Sequence, residues 1–316
     1  MAEAGLVDRL RHCALLYDGT EQYLAAAVAF AAAADATGAA VLVAVPSDRL
    51  AQLREVLPGD GSVEFADMAV AGRNPGRILP WLLLPFAAAH PGRPIAVLGE
   101  PVWPGRTSWE YPACAVHEAL VNVALASHTA RLLCPYDVAG LDPAVVADAA
   151  GTHPMLQDRA GERASPAYAD PLSLIDALNV PLPAPPAAAA VRGYAQADEL
   201  SQVRSFVAGI AAAAGLGPDR IYHLTVAVNE LTTNTVAHTG GPGRIAVWCE
   251  ADVLVCQVSD SGRLADPLAG RIPRPADAPG GRGLLIVNEL CDLVRLHTGP
   301  QGTDIRLHVC LPTAGR

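Results

Sequence analysis

Four prolines, Pro181, Pro183, Pro185 and Pro186, stand almost together in "LNVPLPAPPAAAAVRGY" and interrupt the chain past its middle. Proline carries no amide donor and fixes φ, so this run belongs neither inside a helix nor in a central strand and reads as an extended connector. It divides the chain into residues 1–180, a linker over 181–192, and residues 193–316. Both flanking parts are of domain size. With 316 residues and 51% hydrophobic content, there is material for two separate cores.

The two parts differ in the order of their elements. Before the linker, apolar runs alternate with alanine-rich helical stretches. Residues 21–38 read as a helix stopped by Gly38, 39–45 as a buried strand, and 47–57 as a helix with Ser47 as N-cap. Residues 94–100 and 130–137 read as further strands and 110–129 as a further helix. That alternation predicts an α/β domain, a parallel sheet flanked by helices. After the linker come two helices (198–215 and 217–239), two strands about a tight turn (243–262), a loop rich in proline and glycine, a helix over 283–298 and a closing strand over 303–311. This order predicts an α+β sandwich, a mixed sheet covered by helices on one face.

Charge removes several functions. The net charge of −10 and the absence of any basic stripe argue against nucleic-acid binding. All 22 basic residues are arginine, so no phosphate loop ending in Gly-Lys-Ser/Thr exists. The seven cysteines are scattered and form no Cys-x-x-Cys pair, which suggests buried thiols in place of a disulfide framework or zinc knuckle. Charges occupy the first residues where a signal peptide needs an apolar run, and "WLLLPFAAA" is too short to span a bilayer. The expectation is a cytoplasmic protein with no membrane contact.

In "NELTTNTVAHTGG", Glu230, Asn234 and His238 are spaced four apart and so share one face of a helix. His238 reads as a structural residue at the helix end. This stretch, followed in order by "VSDSG" (258–262), "GGRGLLIV" (280–287) and Gly302-Thr303, resembles the GHKL ATP-binding fold of histidine kinases, gyrase and Hsp90. The similarity is greatest to its anti-sigma-factor serine/threonine kinase branch and covers residues 198–311. The resemblance implies ATP and Mg2+ as cofactors, with Asn234 the metal ligand through its hard amide oxygen and Glu230 the catalytic base. It implies Asp260 accepting from the adenine amino group, Gly262 letting the purine approach the backbone, and Thr303 completing the adenine contacts. Gly280, Gly281, Arg282 and Gly283 precede an apolar helix whose amides and dipole favour phosphates. The chain departs from the family's Asp-x-Gly-x-Gly box at Leu264, which replaces the second glycine.

In the first part, "RHCALLYDG" (11–19), "LGEPVW" (98–103), "HEALVN" (117–122) and "LCPYD" (133–137) together are similar to the MEDS sensory domain. That likeness implies sensing of a small organic signal, with His12, Glu100, Trp103, Glu118 and Tyr136 expected around the ligand.

Together these readings predict a signalling regulator in which a sensory domain controls an ATP-dependent serine/threonine kinase of anti-sigma type. The expected partner is a sigma factor or an anti-anti-sigma protein, and family resemblance adds a homodimer. The alternative is a module that binds nucleotide or sequesters a partner without transferring phosphate. A histidine autokinase is disfavoured because the helix over 198–215 has no histidine to accept phosphate.

Overall fold

A computed structural model of the chain describes residues 9–59, 61–273 and 281–312. It separates into two compact units, residues 1–178 and 179–316.

The first unit runs β1 (Leu10–Tyr17), α1 (Thr20–Ala36), β2 (Ala40–Val45), α2 (Ser47–Val56), β3 (Val63–Asp67), α3 (Met68–Ala71), α4 (Leu84–Ala89) and β4 (Ile95–Gly99). It continues through α5 (Tyr111–Ala124), β5 (Ala130–Asp137), α6 (Pro143–Thr152), β6 (Met155–Asp158), β7 (Gly161–Ala164) and α7 (Pro171–Leu178). The seven strands lie in the order β3-β2-β4-β5-β1-β6-β7, parallel throughout except for the antiparallel β6-β7 hairpin at one edge. Every residue of β2 and β4 is buried, as strands covered on both faces require. Along β1 the pleat sorts side chains: Cys13, Leu15 and Tyr17 pack with Tyr23 and Ala27 of α1, while Ala14 packs with Cys114 of α5 and Ala149 of α6. Ser47 does not cap α2 with its side chain; its hydroxyl donates instead to Asp67 Oδ2 at 2.6 Å.

The second unit contains β8 (Ala190–Tyr194), α8 (Leu200–Ala213), α9 (Pro218–His238), β9 (Gly243–Glu250), β10 (Val253–Asp260), α10 (Gly283–Leu290), β11 (Leu293–Gly299) and β12 (Gly302–Cys310). The sheet order is β11-β12-β10-β9-β8 and every pairing is antiparallel, so the expected mixed sheet is an antiparallel one. Strand β8 starts at Ala190, inside the stretch read as linker, and pairs with β9. Residues 283–298, read as one helix, are helix α10 followed by strand β11. One sheet face supplies Ile245, Val247, Leu254, Cys256, Val258, Leu307 and Val309 to a core closed by Val203 and Val207 of α8, Leu224, Val228 and Leu231 of α9, and Val287 of α10. Pro218 opens α9 at the position where a missing amide costs nothing.

Candidate functional site

Helix α9 buries Leu224, Ala227, Val228, Leu231, Thr232 and Thr235 against the sheet. That stripe fixes the helix rotation, and the row Glu230, Asn234, His238 lies beside it. Facing the row are the end of β10, the loop from Ser261 onward, and the start of α10. Between them is a cavity of about 480 Å³, within the range of small-molecule sites. Asn234, Asp260, Gly262, Gly281, Gly283 and Thr303 all line it. Its floor and wall are apolar, with Leu231, Val258, Leu284 and Ile305 among the lining residues, a surface suited to a flat base.

Four residues stand differently from expectation or outside the described residues. Glu230 does not line the cavity, but its carboxylate stands at the edge: a Cβ on Gly283 would meet Glu230 Oε2 at 2.9 Å and Asn234 Nδ2 at 3.3 Å. Glycine at the first position of α10 lets the acid–amide pair approach the helix without the Glu230 carboxylate having to move. Arg282 is exposed and absent from the lining. Gly280 lies outside the described residues. His238 is exposed and lines the cavity, so it is not a packed structural residue.

Asp260 is held on both oxygens. Its Oδ1 accepts from the amide of Gly262 at 2.9 Å and its Oδ2 from Thr235 Oγ1 at 2.7 Å. Thr235 Oγ1 in turn accepts from the Tyr194 hydroxyl at 2.9 Å. Burial pushes the Tyr194 phenol up to about 12, so it remains a donor at neutral pH. Each carboxylate oxygen keeps lone pairs for an incoming donor. A side chain at Gly262 would strike Thr239 Cγ2 at 2.7 Å, so glycine here keeps the loop close to the helix.

A second chain of hydrogen bonds fixes the loop. Leu264 N donates to Thr298 Oγ1 at 3.0 Å, the Thr298 and Thr303 hydroxyls meet at 2.8 Å, and Thr303 Oγ1 donates to the carbonyl of Gly262 at 2.8 Å. A carbonyl only accepts, so the Thr303 proton is committed there and Thr298 is the donor to Thr303. Thr303 therefore lines the cavity while its hydroxyl proton ties the loop to β12. Leu264, at the second glycine position of the box, lines the same cavity.

Sequence reasoning missed Tyr194, Thr235 and Thr298. Thr235 lies within the quoted motif, but a helical threonine ordinarily returns its hydroxyl to a backbone carbonyl, as Thr232 does to Val228 O at 2.9 Å; Thr235 keeps such a carbonyl, Leu231 O, at 3.2 Å and reaches the nearer Asp260 as well. Tyr194 and Thr298 reach the site only through β8–β9 and β11–β12 pairing, which no local pattern announces.

In the first unit, His12 and Glu118 are buried together, with His12 Nε2 3.2 Å from Glu118 Oε2, and Tyr136 donates to Glu118 Oε1 at 3.5 Å. Glu100 is separate: it is buried and accepts from Tyr23 at 3.1 Å, and burial raises its carboxyl to about 8. Trp103 stacks under Arg106, whose guanidinium carbon is 3.8 Å from the ring centre. The cavity beside Glu118 holds only about 20 Å³, room for one water-sized molecule. The five residues thus do not enclose one organic-ligand pocket.

The antiparallel sheet under α8–α10, with its cavity between α9, β10 and α10, defines an ATPase-type domain that follows an α/β domain. Residues 11–154 match the MEDS family (MEthanogen/methylotroph, DcmR Sensory domain), and residues 194–309 match the histidine kinase-like ATPase domain family. The chain carries a MEDS sensory domain followed by a GHKL-type histidine kinase-like ATPase domain. No curated protein matches it. Among solved structures, the RsbU and RsbW domains of Rv1364c from Mycobacterium tuberculosis are 19% identical over 40% of this chain and 34% of that one, with a TM-score of 0.31. The histidine kinase domain of the E. coli osmosensor EnvZ is 21% identical over 35% of this chain and 87% of that one, with a TM-score of 0.25. No helix among the described residues is long and apolar enough to cross a membrane.

Proposed function

We propose that the second unit is an ATP-dependent serine/threonine protein kinase of the anti-sigma-factor type, set by the sensory unit. The observation that carries this reading is the convergence of Glu230 Oε2 and Asn234 Nδ2 on Gly283, at the mouth of α10, beside a cavity that holds Asp260. Bound ATP would supply the phosphoryl group and Mg2+ would neutralise its charge. The donor set fits both: Asn234 offers a neutral amide oxygen to a hard cation, and Asp260 offers fixed acceptor lone pairs to an exocyclic amine. A guanine would turn a carbonyl toward the same carboxylate, which favours adenine. The first-turn amides of α10 have no intrahelical acceptors and favour phosphate. Glu230 takes the proton from a partner hydroxyl brought to the edge at Gly283.

The substrate in this reading is a serine or threonine of an anti-anti-sigma protein, and a sigma factor is the protein held when that substrate is absent. The absence of histidine from α8 favours a substrate on another chain over autophosphorylation. The reading keeps the protein in the cytoplasm and includes a homodimer. A second reading rests on Leu264: with a leucine in the cavity wall where the family has glycine, the unit binds nucleotide or partner without transferring phosphate.

Incubation with labelled ATP, Mg2+ and an anti-anti-sigma protein separates the two. Kinase action requires transfer by the wild type, its loss in Glu230→Ala with ATP binding retained, and loss of both in Asn234→Ala. ATP binding by the wild type with no transfer selects the second reading.

A further inference from the structure

Four side chains of the first unit meet at one point between β1, β5, α5 and the end of α6. His12 pairs in register with Leu132 and Ala14 with Cys134, so the pleat sets His12 and Cys134 diagonally on the same face. Glu118 descends from α5, and His153 follows α6. All four are buried, with His12 and His153 at 0% exposure. One ligand atom from each lies within 4.8 Å of the other three.

The separations have a definite scale. His12 Nε2 is 3.2 Å from Glu118 Oε2 and 3.3 Å from Cys134 Sγ, Cys134 Sγ is 3.7 Å from Glu118 Oε2, and His153 Nε2 is 3.5 Å from Glu118 Oε2. A tetrahedron built from metal–nitrogen bonds of about 2.0–2.1 Å and metal–sulfur bonds of about 2.3 Å has edges of roughly 3.3–3.7 Å.

The outer partners fix both imidazole tautomers. Asn122 donates its amide hydrogens to Glu118 O at 3.1 Å and Thr152 O at 2.8 Å, which turns its oxygen to His12 Nδ1 at 3.1 Å. His153 Nδ1 faces the carbonyl of Ala149 at 2.9 Å, and the Thr152 hydroxyl, also 2.9 Å from Nδ1, has its own acceptor in Ala149 O at 3.3 Å. The Asn122 and Ala149 oxygens only accept, so both Nδ1 atoms carry hydrogen and both Nε2 lone pairs point into the cluster. The His153 Nε2 lone pair is buried there with no hydrogen-bond partner. Imidazoles held through Nδ1, and a carboxylate whose other oxygen is held by Tyr136, make the outer shell a metal site requires.

We propose that His12, Glu118, Cys134 and His153 form a tetrahedral site for a divalent transition metal of the zinc type. Binding expels the Cys134 thiol proton to solvent and forms one metal–sulfur, two metal–nitrogen and one metal–oxygen bond. This site is independent of the nucleotide cavity and goes beyond the kinase reading: the sensory unit takes a metal.

The test is a titration of the full chain, stripped with chelator and kept reduced, with Co2+ in the absence of nucleotide. One equivalent is expected to give the intense visible bands of tetrahedral cobalt together with a thiolate-to-cobalt charge-transfer band, both displaced by Zn2+. Cys134→Ser should abolish the charge-transfer band, and His153→Gln should weaken Co2+ binding by at least about tenfold. Cys13→Ser, on the opposite face of β1, should leave the spectrum intact. No stoichiometric uptake, a weak octahedral spectrum, or a charge-transfer band that survives Cys134→Ser would overturn the proposal. Should Cys134→Ser not fold, the wild-type spectrum and His153→Gln still decide it.

Discussion

The Thr235 hydroxyl illustrates how single atoms set the proposed nucleotide site. It accepts from Tyr194 and donates to Asp260, so one side chain links β8, α9 and β10. Thr235→Val leaves a buried phenol without its acceptor and frees one oxygen of Asp260. The expected loss is about 1–3 kcal/mol of stability, read by urea unfolding, with a weaker ATP affinity read by titration. Gly262→Ala drives a methyl group into Thr239 Cγ2 at 2.7 Å and against Asp260 Oδ1 at 3.1 Å, and should lower ATP affinity, read by the same titration. In the first unit, the Glu100 carboxyl titrates at about 8 in the fold against an ordinary 4.5. Between these values the folded chain holds a proton that the unfolded chain has lost, so stability falls as pH rises across that window. Glu100→Gln should flatten this dependence and stabilise the unit relative to wild type above pH 8, with little difference near pH 4.5; melting curves across pH measure it. Asn234 and Asp260 each stand inside a short local motif, 229–241 and 258–262, which is why sequence alone could single them out, and both line the cavity. Thr235 and Tyr194 were not, and of the metal-type cluster only His12 and Glu118 were singled out, since Cys134 and His153 stand far from them in sequence and join them only in the fold.

At the scale of elements, uniform periodicity was readable and changes of period were not. Helix α9 and strands β2 and β5 carry one pattern from start to stop. The run over 283–298 mixes residues compatible with either state, and the break comes from long-range partners of Asp292. Its backbone amide donates to His308 O at 3.1 Å, and its Oδ2 receives Arg220 and the amide of Cys310 at 2.8 Å. The proline-rich stretch was legible as extended but not as anchored. Asn179 exchanges two hydrogen bonds with the Thr298 backbone, at 2.7 and 3.1 Å, and the carbonyl of Pro183 accepts from Arg306. Thr298 is the same residue whose hydroxyl holds Leu264. Asn179→Ala should therefore preserve the fold while raising amide exchange at 179–189 and at the loop of Leu264, measured by hydrogen–deuterium exchange.

At the scale of the whole molecule, the chain holds two units with separate cores, residues 1–178 and 179–316, and the proline run lies within the second. Each unit should melt under its own ligand's control: ATP with Mg2+ raises the transition of residues 179–316, read by calorimetry on the full chain. Any control of the proposed kinase by the sensory unit should appear as a coupling in which a ligand of one unit shifts the affinity of the other. The central claim is that adenine docks on Asp260 while phosphates reach Asn234 and α10. Isothermal titration of the full chain and of Asp260→Asn with ATP and Mg2+ tests it most directly. The wild type should bind one ATP per chain and prefer it to GTP, and the variant should lose at least about tenfold in affinity along with that preference. No heat of binding, or equal affinity in wild type and variant, would contradict it.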